Sequence, residues 1–213
     1  MKTTFFALII SLISFAGFSQ KSDYYQAMGE SLGQYAACRT IDDFQALGNR
    51  FKMIAGKEKE EWLPLYYHAH CYIIMSFMEP ADAAKKDMYL DVAEASLKQL
   101  SAMVPAESEV AALEGMFYTA RLVVNPMERG QKYSMLTAQS LGKALALNPE
   151  NPRAKLLQIQ NDMGSARFFG KDPSTYCGQA AELLANWDKI TPASPLHPSW
   201  GKDQAEALVK ECK

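Results

Sequence analysis

Leu100–Ala112, LSAMVPAESEVAA, decides the fold. A stretch rich in small and apolar residues runs into Pro105, and a second amphipathic stretch begins at once. The pattern returns at Leu145–Ala154 (LALNPENPRA) and, more faintly, at Trp187–Pro192. Prolines 105, 149 and 192 are separated by 44 and 43 residues. A fixed period of that size indicates an array of helix pairs, each burying its apolar face on its neighbours.

Working outward, apolar residues recur at three- and four-residue spacing, the mark of amphipathic helices. Tyr24, Ala27, Met28, Leu32 and Tyr35 stripe a first helix over 23–38. Thr40 is an expected N-cap, with Asp42 and Asp43 in the first turn and Phe44, Leu47, Phe51 and Ile54 buried as far as Gly56. Trp62–Met78 carries little charge on any face and is expected to be central. Further helices are expected over 88–104, 107–124, 133–147, 153–163, 175–190 and 202–212. The intervals 79–87, 124–131 and 164–174 are expected as loops, and the three prolines of 191–200 imply extended chain. No useful stretch alternates as a strand would. The expectation is an all-α fold of nine helices, four pairs and a C-terminal cap.

Residues 1–19 read as a secretory signal: Lys2, an apolar run over 5–13, then Ala16, Gly17 and Ser19 before the expected cleavage. The run is too short for the roughly 20 residues a bilayer core requires. Cleavage would leave 194 of 213 residues as one helical domain, 20–213, and move the formal charge from −2 to −3 with the loss of Lys2. A mildly acidic chain without a basic stripe argues against nucleic acid as partner, and nothing suggests stable membrane insertion. The expected location is periplasmic or secreted.

The spacing also resembles the tetratricopeptide repeat. Trp62, Leu65, Ala69; Val110, Leu113, Phe117; and Ala154, Leu157, Asn161 resemble its first-helix positions. Ala93, Leu97, Leu100; Thr137, Leu141, Ala144; and Ala180, Leu184, Trp187 resemble its second-helix positions, each followed by a proline of the period. That family's unit is about 34 residues. The excess here falls between the two helices of each pair, implying a superhelix with long intra-pair loops. The segments FFGKDP (168–173) and SPLHPSWG (194–201) are similar to exported tetratricopeptide-like proteins of Gram-negative bacteria. The resemblance implies a concave groove lined by Tyr67, His70, Tyr118, Arg121 and Lys155, suited to an extended peptide. Phe168 and Phe169 are either an exposed anchor or a plug between repeats.

No Ser-His-Asp order, GxSxG, HExxH or phosphate-binding glycine loop occurs. His68 and Cys71 share a helix face, but two ligands do not hold zinc. No catalytic residue, metal or cofactor is expected. The leading expectation is a non-catalytic scaffold or adaptor for a protein or peptide. The alternatives are a small-molecule or metal-binding protein or enzyme built on helix 62–78 with His70 as its polar group, and a self-assembling structural subunit.

Of four cysteines, Cys177 opens one helix and Cys212 ends another. Their midpoint falls between residues 194 and 195, inside the proline-rich turn, so an antiparallel pair places them level. A disulfide is expected there, closing a loop worth roughly 3–4 kcal/mol. Cys38 and Cys71 are expected to remain thiols, at least partly buried.

Overall fold

Side chains that cap the helices set where they begin. In the computed structural model, which describes residues 22–212, Thr40 Oγ1 accepts from Asp43 N at 3.1 Å. Asp43 accepts in return from Thr40 N at 2.9 Å, a reciprocal cap worth about 1 kcal/mol. The expected signal segment 1–19 lies outside the described residues. Among the described residues there are nine α-helices and no strand: α1 (22–35), α2 (Ile41–Lys57), α3 (Leu63–Met78), α4 (Ala83–Met103), α5 (Ser108–Val124), α6 (Pro126–Leu147), α7 (Pro152–Phe168), α8 (Cys177–Asn186) and α9 (Lys202–Glu211). Short 3-10 turns cover Pro173–Tyr176 and Trp187–Lys189. The fold is all-α, as the stripes require.

Successive helices from α2 onward pack as neighbours, and α5 also touches both α3 and α7, so these three form an inner layer. α3 and α5 are buried along most of their length, which fits their sparse charge. Gly115 of α5 lets Leu141 of α6 approach; a Cβ there would lie 2.5 Å from Leu141 Cδ2.

The long intra-pair loops do not occur. α4 begins at Ala83, because Asp82 caps it by accepting from Lys85 N at 3.0 Å. α6 begins directly at Pro126, with Asn125 as the one residue between it and α5. Proline at the first helical position loses no hydrogen bond, and its fixed φ suits the helix. α7 continues through Gly164 to Phe168, since Met163 and Ala166 are buried on the next layer. The extra length of each unit therefore lies in its helices, 21 residues in α4 and 22 in α6.

The main core runs from α1 to α7. A second, smaller core joins Leu156, Ile159 and Met163 of α7 to Leu183 of α8, Trp187 and Ala205 of α9. Cys177 and Cys212 close it as a disulfide with Cα atoms 5.7 Å apart, so α8 and α9 lie level as expected. Cys38 and Cys71 are unpaired, half-buried and buried respectively. Between the two cores, residues 190–200 form an irregular strap that ends at Gly201. Its φ of +112° favours glycine, and a Cβ would meet the Trp187 indole at 2.8 Å.

Candidate functional site

The strap lies against α3, and the site is built where they meet. Helical spacing puts Tyr66, Tyr67 and His70 on the α3 surface facing α1 and the strap. Tyr67 Oη donates to the Leu196 carbonyl at 2.9 Å, and Trp200 Nε1 donates to Tyr66 Oη at 3.0 Å. The Trp200 indole stacks on the His70 imidazole, centroids 4.6 Å apart and planes inclined by 18°. Tyr35 of α1 lies on the same imidazole at 5.7 Å and hydrogen-bonds its Nδ1 at 2.6 Å. His70 is 1 % exposed, and its Nε2 has no hydrogen-bond partner among the described residues. Burial pulls this imidazole down to about 3, and the Arg153 charge acts in the same direction. It is neutral at physiological pH.

An open cleft of about 580 Å³ adjoins this sealed stack, lined among others by Glu107, Glu109, Arg153, Trp187, His197 and Lys202. Glu109 and Arg153 are both buried and meet as a bidentate pair, Nε–Oε2 2.5 Å and Nη2–Oε1 2.6 Å. Asn151, fully buried at the α7 N-terminus, ties that pair to the helix ends. It accepts from Arg153 N and Ala154 N and donates to Ser108 Oγ and Glu109 Oε1, at 2.9–3.0 Å. Lys202 is held by Asp188 at 2.6 Å. With Glu107, the lining carboxylates slightly outnumber the cations, so the cleft is not an anion site. Its aromatic lining is Trp187 and His197. The three tryptophans of the chain lie around it: Trp187 lines the cleft, Trp62 meets His197 at 5.6 Å, and Trp200 faces His70 on one side with the Arg153 guanidinium 6.0 Å from its ring.

Neither a protein-family model nor a curated protein matches the chain, so no family model carries the tetratricopeptide resemblance. Among solved structures, the HusA haemophore from Porphyromonas gingivalis matches with a TM-score of 0.77 and 32 % identity, over 89 % of this chain and 92 % of that one. The chain belongs to the HusA family. The match leaves out only about a tenth of either chain.

Against this frame the sequence-derived groove residues fall in three places. Tyr67 and His70 are 3 % and 1 % exposed, not groove-lining: the strap covers them, which corrects the expectation of an open groove there. Arg121 is also buried, bound to Asp87 at 2.8 Å, to Asp91, and to Glu94 at 3.3 Å, so it is spoken for by α4 carboxylates. Tyr118 is half-buried on Tyr133, at 6.2 Å. Lys155 pairs with Glu150 at 2.9 Å and lines a separate cleft on α7 and α8. These five do not share one surface. Phe168 and Phe169 are 61 % and 68 % exposed, in edge-to-face contact at 5.2 Å, which rules out the plug between repeats. His68 faces away from His70 and hydrogen-bonds Ser96 Oγ at 2.7 Å. Among the described residues no three His, Cys, Asp or Glu side chains gather as a metal-ligand set.

The sequence reading missed the Glu109–Asn151–Arg153 network, Trp200 and the strap's role. Trp200 had a signal, an aromatic residue in a proline-spaced segment, SPLHPSWG. Arg153 had one too, a basic residue directly after NP at a repeat boundary.

Proposed function

We propose that this chain is an exported, non-catalytic carrier of a haem-type tetrapyrrole. The observation that carries the reading is the 32 % identity to a haemophore over nearly the whole of both chains. Three features agree with it. Residues 1–19 have the pattern of a secretory signal. Among the described residues no helix is long and apolar enough to cross a membrane. The aromatic stack beside the cleft suits a flat conjugated ring, which gains by stacking on indole, phenol and imidazole faces. This reading replaces peptide by tetrapyrrole as the principal ligand. A docking protein remains a second partner, on the evidence of the exposed Phe168–Phe169 pair.

The test is a titration of the purified mature chain with ferric haem, followed by Soret absorbance and tryptophan fluorescence. Because the tryptophans surround the cleft and stack, bound haem quenches them. Saturation of both signals at one equivalent, with a Kd of about 1 µM or tighter, is expected. Signals that rise without saturating would refute the proposal.

A further inference from the structure

We propose that the ring seat of this protein is the His70 face now covered by Trp200, and that the strap 190–200 swings away to admit a flat aromatic ligand. The inference rests on the tetrapyrrole reading and says where and how the ring is held.

Four observations lead there. First, the Trp200 indole already occupies the place of a flat ring: the His70 ring centroid lies 4.6 Å from its own, and the Arg153 guanidinium lies 6.0 Å from the same indole. A conjugated macrocycle taking this place keeps the stacking and the cation–π contact. Second, the seat's floor is rigid. Tyr35 hydrogen-bonds His70 Nδ1, Tyr66 lies on His70 at 6.3 Å, and Tyr67 stacks on Phe51 at 5.1 Å, all anchored on helices. Third, the cover is the least regular part of the fold. The strap makes its own turn, Ser194 bonding both His197 and Leu196 N, and is joined to α3 by two hydrogen bonds, both through tyrosine hydroxyls. Fourth, the closed arrangement leaves His70 Nε2 buried with no partner among the described residues. A buried polar atom without a partner raises the free energy of the closed state, and opening restores a partner, so the cost of opening is partly offset. The open cleft beside the strap is the route of entry.

Trp200 is therefore an internal competitor. A carrier that opens before it binds shows an association rate that levels off at high ligand, limited by opening. The experiment is stopped-flow mixing of the disulfide-intact chain with ferric haem, across a wide concentration range. The wild-type rate is expected to plateau. Tyr67→Phe removes the hydroxyl that tethers Leu196 without altering the stack, and the plateau should rise about two- to tenfold, the worth of one buried hydrogen bond. Trp200→Ala vacates the seat and should tighten haem binding at least threefold. Trp200→Phe, which fills the core better, should give a smaller change in the same direction; far-UV dichroism checks that both variants fold. A rate that stays linear and is unchanged by Tyr67→Phe would overturn the strap. Weaker binding in folded Trp200→Ala would make the indole part of the binding platform and overturn the competitor. Failure of the wild type itself to bind haem would instead overturn the tetrapyrrole reading, and this proposal with it.

Discussion

Lowering the pH from 7 to 5 should destabilise this protein sharply, and the cause is two histidines on opposite faces of α3. His70 is held at about 3 by burial and by Arg153. His68, on the face toward α4, is held at about 4 by burial and by Lys52. Both titrate near 6.5 once the chain unfolds. The folded values are depressed, so the stabilising difference is complete above about 6.5 and is lost as pH falls toward the folded values. In that window the unfolded chain binds protons that the native chain refuses. At pH 5 each unfolded imidazole is 1.5 units below its titration point, while both native ones remain mostly neutral. At about 1.4 kcal/mol per unit, each histidine costs about 2 kcal/mol, and the pair about 4 kcal/mol.

That is a large share of the 5–15 kcal/mol typical of a domain. Asp43 and Asp87 do not blur the window. Hydrogen bonds hold Asp43, from Arg39 and Thr40, and Asp87, from Arg129 and Arg121, below the usual range, so their losses come at lower pH. The assay is urea unfolding at pH 7, 6 and 5 at constant ionic strength, followed by far-UV dichroism. A fall of about 3–4 kcal/mol is expected, with roughly half of it remaining in His68→Gln, which retains a partner for Ser96. A fall under 1 kcal/mol, or a rise, would refute the reasoning.

Reducing the Cys177–Cys212 bond should lower stability by roughly 3–4 kcal/mol, since it spans 35 residues, and hydrogen exchange should quicken first in α9. Equal melting of oxidised and reduced protein would contradict this. Arg153→Met strands Glu109, with both side chains at most 10 % exposed, and should cost about 3–5 kcal/mol in urea unfolding. A loss under 1 kcal/mol would show that water reaches the pair.

The helices were legible because burial imposes a period. Tyr24, Met28, Phe51, Leu97, Leu113 and Leu141 lie where their stripes required, all within the main core. The break signals were legible only in position, not in consequence. Pro126 marks a helix boundary, yet the chain turns in one residue, because a proline at the first helical position carries no cost and Asn125 caps both neighbours. Gly164 opens an expected loop, but a Cβ there would meet nothing within 4 Å, so this glycine marks no close approach or bend and costs the helix only about 1 kcal/mol. Breakers raise a local free energy, and tertiary burial of Met163 and Ala166 overrides that amount. The disulfide was legible because two helices and one turn fix a symmetric geometry without tertiary knowledge.

The site was not legible for a different reason. Helical spacing puts Tyr67 and His70 on one face of α3, but whether that face meets solvent depends on a segment more than 120 residues later, as the Tyr67–Leu196 bond shows. Extended chain has no period, so nothing in 190–200 announces which side chains turn inward. Its direction is set at both ends by tertiary features: the Trp187 indole packed on Gly201, and the α8–α9 hairpin closed by its disulfide. Apart from Leu196 and Trp200, which pack on the main core, the strap can differ in how firmly it sits without disturbing the nine helices. The strap therefore belongs to the least constrained level of the fold, and the aromatic stack it covers to the most constrained. Tuning of ligand entry is accordingly expected in 187–201 at positions other than Leu196 and Trp200, which pack in and against the main core, and not in α3, where the same side chains hold both the seat and the fold.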